Sequence, residues 1–316
     1  MIGRKVTLLG GFGFIGTHLA QQLQAGGHQV TVFGHANAAV VERLTAHGIR
    51  TCQGDFADST AVGASVIGAH TVFHLIGSTT PGSSNANIRQ ELAQGLLPTL
   101  SLLDICVESG VEQVVFTSSG GTVYGIPEYV PIDEKHATAP ICAYGINKLT
   151  TEHYMRLYAK THGIAMTVAR LSNPYGPYQN IRRGQGIIGT YCDRIVKGHP
   201  LLVWGDGGAE RDYIYIQDVV RALELLIGRR SGFEVFNIGT GAGTSINGLI
   251  EKLRAVAARP FEVQYLPGRH VDVPVNILDC TLFRSEFGWA PACDVPTGIG
   301  LTLDWFSHVQ SGAESM

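Results

Sequence analysis

Short apolar runs alternate with helix-like patterns along the first half of the chain. Six runs read as buried strands, at residues 5–9, 29–33, 50–53, 71–75, 113–117 and 165–170. Helical patterns separate them, as in residues 14–25 and 144–162. Strands that alternate with helices in this way favour an α/β fold with a parallel, doubly wound sheet. Beyond residue 173 the alternation breaks into Gly-, Arg- and Pro-rich passages with a helix predicted at 186–197, which indicates a smaller, irregular region.

The first strand runs directly into a glycine-rich turn, Gly10-Gly-Phe-Gly13-Phe-Ile-Gly16, which is followed by a helix. Glycines here allow a tight turn, the close approach of a pyrophosphate to backbone N–H groups, and close packing of helix on strand. The helix N-terminus favours the negative charge of a phosphate. This order of elements predicts a dinucleotide site, against the alternative of a tight turn that binds nothing.

Tyr144 and Lys148 stand four residues apart in a predicted helix and therefore share one face. An ammonium a few Å from a phenol stabilises the phenolate, so we expect the pKa of Tyr144 to fall from about 10 towards neutrality. Such a phenol can exchange protons with a sugar or alcohol hydroxyl. The spacing alone is also common among surface neighbours without chemistry.

Composition is typical of a soluble enzyme with a large core. The chain has 316 residues, of which 45% are hydrophobic and 16% charged, and its net charge of −3 gives no support for nucleic-acid binding. No apolar run is long enough to cross a membrane and no secretory leader is visible, so we expect a cytoplasmic protein. The six cysteines and twelve histidines show no metal-ligand spacing, and no metal is expected.

Further motifs occur in an order and spacing that resemble the extended short-chain dehydrogenases/reductases. They are Gly54-Asp55-Phe-Ala-Asp58, Thr122-Val-Tyr-Gly125, the Tyr144/Lys148 pair, Arg170-Leu-Ser-Asn-Pro-Tyr-Gly-Pro177 and Gly205-Asp-Gly with Arg211-Asp-Tyr213. Within that superfamily the chain is most similar to the nucleotide-sugar 4-epimerases of the UDP-hexose type. The similarity covers nearly the whole chain, and the combination is more specific than any single motif.

The resemblance implies a function and a set of roles. Tyr144 would be the acid/base on the sugar O4, with Lys148 bonding the nicotinamide ribose, and hydride would move from C4 to bound NAD and back through a 4-keto intermediate. Catalytic hydroxyls are expected from Thr122 or Ser119. The remaining substrate-binding residues implied for a UDP-sugar are Thr79, Ser83, Ser84, Thr122, Asn173, Val203, Arg211, Arg269 and Asp272.

The implied cofactor site lies in a Rossmann-type domain at residues 1–172, with a return segment near 213–240, while 173–212 and 241–316 would bind the nucleotide sugar. Its cofactor-binding residues would be Gly10, Gly13, Phe14, Ile15, Gly16, Gly34, His35, Asp55, Phe56, Leu75, Gly77, Tyr144 and Lys148. Relatives of this kind pair two helices into a four-helix interface. Apolar residues in 88–109 and 144–162 therefore predict a homodimer.

Three positions depart from the epimerase pattern. Gly34 occupies the place of an Asp that bonds the adenosine ribose, so NADP stays open beside NAD, with His35 or Arg43 near a 2′-phosphate. Gly120 stands where the family carries its catalytic Ser or Thr; Thr122 is our first choice for the displaced hydroxyl and Ser119 the second. Gly95 replaces an Asn, a change without a functional account.

Two other functions stay open beside the epimerase. An NAD(P)-dependent nucleotide-sugar reductase would release its cofactor after each turnover, and a 4,6-dehydratase would need an Asp-Glu pair where this chain has Gly121 and Thr122. A non-catalytic cofactor-binding protein is the third alternative. The retained pair of Tyr144 and Lys148 argues against it.

Overall fold

The computed structural model describes residues 3–77, 79–86, 88–181, 186–230, 232–268, 273–310 and 312. The chain divides into two units. The first comprises Met1–Val123, Pro140–Arg170 and Val220–Phe236, and the second comprises Tyr124–Ala139, Leu171–Val219 and Asn237–Met316. The sequence pattern assigned residues 124–139 to the first domain, whereas here they belong to the second unit.

Strands and helices alternate through the first unit and become shorter and less regular in the second. The strands are β1 Lys5–Leu9, β2 Gln29–Gly34, β3 Arg50–Gln53, β4 Thr71–His74, β5 Gln113–Ser119, β6 Ala165–Leu171, β7 Asn173–Tyr175, β8 Leu201–Trp204, β9 Glu210–Tyr215, β10 Phe233–Ile238, β11 Gly243–Ser245, β12 Val263–Leu266 and β13 Val275–Asn276. The α-helices are α1 Phe14–Ala25, α2 Ala38–Ala46, α3 Ser59–Val66, α4 Ile88–Glu91, α5 Leu97–Glu108, α6 Ala143–His162, α7 Ile187–Lys197, α8 Ile216–Leu225, α9 Ile246–Val256, α10 Thr281–Phe287 and α11 Val295–Gln310.

The central sheet has seven parallel strands in the order β10-β6-β5-β4-β1-β2-β3. Strand β1 pairs with β2 on one side and β4 on the other, so the strand order reverses between β1 and β4. Ligands of open α/β sheets bind at the carboxyl ends of the strands beside such a reversal. The predicted doubly wound α/β class is confirmed, and the loops that follow β1 and β4 mark the expected site.

Local signals account for where the helices of this unit begin. The Asn37 side chain accepts a hydrogen bond from Val40 N at the start of α2, and Asp58 accepts from Thr60 N and Ala61 N at the start of α3. The strands between the helices are apolar because they are covered on both faces. Leu8, Leu9, Val32, Phe73 and Val114 are among the fully buried residues.

The long apolar segment 88–109 differs from a continuous helix. It consists of α4, a π-helical turn at Leu92–Leu96, and then α5. The apolar spacing in this segment does not distinguish the wider π turn from an α turn. Four strand ends also differ slightly from the prediction: β4 ends one residue early, at His74, whereas β2, β5 and β6 continue to Gly34, Ser119 and Leu171.

The second unit contains small sheets around its own core. Strand β9 pairs with β7, β11 and β13, and β8 pairs with β12. The core includes residues of α7, α9 and α11, among them Ile188, Leu249 and Ile299. The sequence predicted α7 to within one residue but gave no strand order here, because these strands are only two to six residues long.

The described residues contain free cysteines but no candidate metal site and no candidate membrane-spanning helix. All six cysteines are free, and Cys106, Cys192 and Cys280 are buried. Within the described ranges no His, Cys, Asp and Glu side chains form a group that could hold a metal ion. None of the helices in those ranges combines the length and apolar character needed for a membrane span.

Candidate functional site

The glycine turn after β1 packs tightly against its surroundings. Gly10 has φ +80°, a conformation that favours glycine, and its N–H donates to Phe33 O at 2.9 Å. A Cβ on Gly16 would lie 2.4 Å from Gly11 Cα, so α1 approaches the turn more closely than any side chain would allow. The predicted roles of Gly10 and Gly16 in the turn and in helix packing agree with this geometry.

Gly13 is different because protein packing does not require it. Its φ of −76° is open to any residue, it is exposed, and an added Cβ would meet only Gly10 O, at 3.2 Å. It is the N-cap of α1, where no side chain caps the helix and no acidic residue stands in the first turn. A backbone left bare at an uncapped helix N-terminus is what a closely approaching pyrophosphate needs, and the residues present fit a dinucleotide. Phe14 and Ile15, the next two residues, are half-buried.

Strand β2 ends at Gly34, the residue that stands where the epimerase pattern has an Asp. Gly34 has φ +144°, which other residues rarely adopt. The exposed His35 follows, and its Nε2 lies 3.8 Å from Oδ2 of Asp55, two residues beyond the end of β3. The structure thus brings together His35 and Asp55, both of which are predicted to bind the cofactor. Leu75 N donates to Leu9 O at 2.9 Å, which ties the loop after β4 to β1.

Helix α6 is held over the sheet by polar contacts at two places. At its start, Ala143 N donates to Asn85 Oδ1 at 2.8 Å. Farther along, Glu152 accepts from Ser118 Oγ at 2.5 Å and from Arg170 Nη2 at 2.6 Å, all three being buried. Removing one partner from a buried ion pair of this kind costs about 3–5 kcal/mol. These contacts fix α6 against β5 and β6, and with it Tyr144 and Lys148.

Tyr144 and Lys148 lie together, as the spacing predicts. Lys148 Nζ lies 5.6 Å from the centre of the Tyr144 ring and 4.4 Å from that of Phe116, and it donates to Thr117 O at 2.9 Å. Tyr144 Cε2 would lie 4.0 Å from a Cβ placed on Gly77, so its ring lies beside the loop after β4.

The electrostatics of the pair correct one expectation. Burial lowers the pKa of Lys148 from 10.5 to about 8, against the negative charges of Glu91 and Glu152, which raise it. Burial also raises the pKa of Tyr144 above its usual value of 10, with smaller contributions from Cys142 and Glu91. The prediction that Lys148 lowers the Tyr144 pKa towards neutrality is therefore wrong for the protein alone, because loss of hydration outweighs the attraction of the ammonium.

The candidate hydroxyls lie where β5 ends: Ser119 is its last residue, and Thr122 is in the tight turn that follows. Thr122 N and Val123 N both donate to Ser119 O, at 3.2 and 3.1 Å. Thr122 Oγ1 is buried and has no hydrogen-bond partner among the described residues. A Cβ on Gly145 would lie 3.2 Å from Thr122 Cβ, so Thr122 packs against α6 one residue beyond Tyr144. The Thr122 hydroxyl is therefore not committed to another group in the described part of the protein.

A cavity of about 30 Å³ adjoins the pair. Its walls include four of the predicted residues, namely Phe56, Gly77, Tyr144 and Lys148. They also include the polar residues His74, Glu91 and Asn147, to which the sequence gave no functional role. Asn147 could have been found from the sequence because it directly precedes Lys148. Nothing in the sequence pointed to Glu91.

The loop after β4 carries three of the predicted substrate residues. Thr79 Oγ1 is buried without a hydrogen-bond partner among the described residues. The other two hydroxyls are used within the loop, since Ser83 Oγ bonds Thr80 Oγ1 at 3.0 Å and Ser84 Oγ donates to Pro81 O at 3.4 Å. Ser84 is fully buried. Thr79 is thus the residue of this group with an uncommitted hydroxyl.

The second unit brings two predicted residues onto neighbouring strands. Asn173 of β7 is in register with Tyr213 of β9, two residues from Arg211, and its Nδ2 donates to Asp212 O at 2.9 Å. Arg211 Nη1 donates to Glu210 O at 2.8 Å. Val203 is buried in the core of this unit. Arg269 and Asp272 lie outside the described residues.

Comparison with known proteins gives a consistent result. The model of the NAD dependent epimerase/dehydratase family matches residues 6–239. The UDP-glucose 4-epimerase of Mycolicibacterium smegmatis is 28% identical over 96% of this chain and 99% of its own length. The dTDP-4-dehydro-6-deoxyglucose reductase of Escherichia coli is 32% identical over 72% of each chain. Among solved structures, the UDP-glucose 4-epimerase of Thermotoga maritima with UDP-glucose has a TM-score of 0.91 and 32% identity, over 98% of this chain and all of that chain.

Proposed function

This chain belongs to the NAD-dependent epimerase/dehydratase family, and we propose that it is a nucleotide-sugar 4-epimerase that acts on a UDP-hexose or on its N-acetyl or uronic-acid relatives. The observation that carries the proposal is the shared cavity of Tyr144, Lys148, Phe56 and Gly77, since it joins the acid/base pair to residues of the cofactor site. Full-length similarity to UDP-glucose 4-epimerases supports the choice within the family.

The cofactor is NAD, which when bound accepts a hydride from the sugar C4 and returns it. The bare N-terminus of α1 at Gly13 would hold its pyrophosphate. Lys148 uses one of its three N–H donors on Thr117 O, which leaves two for the vicinal hydroxyls of a ribose. The exposed edge formed by His35 and Asp55 would bind the adenosine end.

Tyr144 would take the proton from the sugar O4 when C4 is oxidised, and would return it to O4 when C4 is reduced. Thr122 donates a second hydrogen bond to O4, for which its buried, uncommitted hydroxyl is suited. Proton and hydride both return to the sugar, so the reaction has no net redox change. In the second unit, Asn173, Arg211, Arg269 and Asp272 would bind the UDP group, the arginines by bidentate contacts to the diphosphate.

A reductase is the second candidate because a reductase relative is 32% identical over most of the chain. The two functions differ in their use of the cofactor. An epimerase retains NAD through turnover, whereas a reductase consumes NAD(P)H and releases the oxidised form. The absorbance spectrum of the purified protein, with and without denaturation, measures how much nicotinamide cofactor it retains.

We further propose a homodimer in which α5 and α6 pair with their copies. Several large apolar side chains on this face are exposed: Leu97 is 59% exposed, and Ile146 and Leu157 are each 50% exposed. Leu103 of α5, in contrast, is buried. Exposed apolar residues on neighbouring helices are typical of an interface.

A cytoplasmic location and a division of labour between the two units complete the proposal. The six free thiols are compatible with a reducing compartment. The first unit would hold NAD and the acid/base pair, and the second would hold the nucleotide part of the substrate. This assignment follows the residues that each unit contains.

The direct test is turnover without added reductant. The purified enzyme is incubated separately with UDP-glucose, UDP-N-acetylglucosamine and UDP-glucuronate, and the 4-epimers are measured by chromatography and NMR. We expect one to be converted to an equilibrium mixture, and Tyr144→Phe to retain NAD but to turn over at least about 100-fold more slowly. Full activity of this variant, or conversion that requires stoichiometric NAD(P)H, would overturn the assignment.

A further inference from the structure

The ammonium group of the acid/base pair is buried, and no carboxylate is paired with it. Lys148 is 8% exposed, and its Nζ lies 2.9 Å from Thr117 O. The centres of the Phe116 and Tyr144 rings lie 4.4 and 5.6 Å from the same atom. Among the described residues no carboxylate is within salt-bridge distance of it. Buried charges are normally paired, so the folded protein must stabilise this one by other contacts.

The central sheet places the Phe116 ring where it can stabilise this charge. Phe116 belongs to β5, the strand that also supplies Thr117 O, and it is in register with His74 of β4. Its side chain is 1% exposed and lies in the same core cluster as Met155 of α6, so it faces the helix that carries Lys148. Nζ lies over this ring, and the negative face of an aromatic ring attracts a cation within about 6 Å of its centre.

An aromatic ring and a carboxylate would act differently on this ammonium. The ring stabilises the positive charge without cancelling it, so the field of the ammonium still favours the Tyr144 phenolate that the proposed base requires. The ring also adds no second oxygen that would compete for the N–H donors. One of the three donors of Lys148 is used on Thr117 O, which leaves two for the ribose hydroxyls.

We propose that Phe116 is a positioning residue for the acid/base pair, whose ring face holds the Lys148 ammonium in place and keeps it charged beside Tyr144. The inference rests on the proposed epimerase function for its kinetic consequence. Its physical basis is the contact of 4.4 Å in a site with little access to water, where such contacts are strongest. The cavity of about 30 Å³ borders all three side chains, so the ring, the ammonium and the phenol share one environment.

The other ionisable groups around Lys148 do not replace the ring. Burial lowers the pKa of Lys148 to about 8, against the charges of Glu91 and Glu152, which raise it. Glu152 is paired with Arg170 at 2.6 Å. His74 is neutral because burial lowers its pKa to about 3. Within the described residues, the stabilising contacts at the ammonium itself are therefore the backbone carbonyl and the two rings.

Stepwise fluorination of the ring separates its electrostatics from its packing. Mono-, di- and trifluorinated phenylalanine at position 116 keep nearly the same shape while they weaken the negative face of the ring step by step. In the NAD-loaded enzyme, the alkaline limb of the pH profile of kcat reports the charge of Lys148. We expect this limb to move to lower pH with each step, by about one unit in total, because the ammonium loses its stabilising contact. At pH 8 this corresponds to an about fivefold loss of charged Lys148.

Phe73 provides the matched control. It is fully buried in β4, the strand next to β5, and it directly precedes His74. His74 is in register with Phe116, and successive side chains of a strand point to opposite faces, so the Phe73 ring lies on the other face of the sheet. Trifluorinated phenylalanine at position 73 should therefore leave the alkaline limb unchanged.

A second measurement does not depend on any sugar. The urea stability of each protein is compared with that of its Lys148→Met derivative, and the difference begins to change at the pH where Lys148 loses its proton in the folded state. Trifluorination of Phe116 should lower that pH by about one unit. If this pH or the alkaline limb stays as in wild type, or if both move as far for Phe73, the positioning role is refuted. If wild type converts no UDP-sugar, the proposed function fails and the unfolding data alone decide the role of Phe116.

Discussion

Because Lys148 is buried, the free energy of unfolding of this protein should rise with pH between about 8 and 10.5, and the substitution Lys148→Met should abolish that rise. The folded protein holds the pKa of Lys148 at about 8, whereas an unfolded chain returns it to 10.5. Between these pH values the unfolded chain binds the additional proton, so the free energy of unfolding rises with pH. The burial penalty is fully present below about pH 8 and disappears as the pH approaches 10.5.

The magnitude follows from the two pKa values. Each pH unit in this window is worth about 1.4 kcal/mol, and the whole window about 3 kcal/mol. In Lys148→Met the titrating group is absent. The free energy of unfolding of wild type should therefore increase relative to that of the variant by about 3 kcal/mol as the pH rises from 8 towards 10.5. The variant also loses the bond to Thr117 O and the contact with the Phe116 ring. These losses change the difference in free energy of unfolding between the two proteins by the same amount at every pH, so they do not change how that difference varies with pH.

Urea unfolding of the NAD-free proteins at half-unit intervals from pH 7 to 10 measures this slope. Lys160→Met on the exposed side of the same helix removes an equal charge without a buried group and serves as the control. A difference between wild type and Lys148→Met that stays constant from pH 8 to 10 would refute the reasoning. It would mean that water reaches the Lys148 ammonium in the folded protein.

Three further predictions concern the displaced hydroxyl, the end of β2 and the helical interface. Thr122→Val should lower kcat about 10- to 100-fold without loss of thermal stability, while Ser119→Ala should stay within about twofold; the reverse order would assign the hydroxyl to Ser119. Gly34→Asp should destabilise the fold by about 1–3 kcal/mol in urea because φ is +144°, whereas Gly82→Ala, with ordinary φ and open space, should be nearly neutral; an unchanged midpoint for Gly34→Asp would contradict this. Light scattering should give a dimer mass for wild type and a monomer mass for Leu157→Arg; a monomeric wild type at micromolar concentration would exclude the proposed interface.

The fold could be predicted where the spacing of apolar residues fits only one type of secondary structure. β1 and α1 were placed to the residue, because a fully buried strand and an amphipathic helix leave different patterns on either side of a glycine turn. The π turn at Leu92–Leu96 could not be predicted, since it depends on packing around Glu91 and Gly95 and not on the order of apolar residues. The assignment of residues 124–139 to the second unit likewise depends on long-range contacts, such as the bond between Ile132 N and Ile277 O.

The site could be predicted only where its residues form short motifs. Tyr144 and Lys148 are four residues apart, and their proximity is a property of the helix. His74, Glu91 and Asn147 come from three elements that meet only in the folded protein, so no spacing links them. The predicted direction of the Tyr144 pKa shift was wrong for a related reason. The charge of Lys148 is evident from the sequence, whereas the burial of Tyr144, which raises its pKa, is not.

The hydrogen bond from Ala143 N to Asn85 Oδ1 has a consequence for engineering this protein. Asn85 closes the loop that carries Thr79, Ser83 and Ser84, and the same side chain caps the helix on which Tyr144 lies. A loop grafted in place of this one would remove that cap and loosen the first turn of α6, which carries Tyr144. Loop exchanges that preserve an Asn at the graft junction should keep kcat, whereas otherwise identical exchanges without it should lose rate even when the new sugar binds.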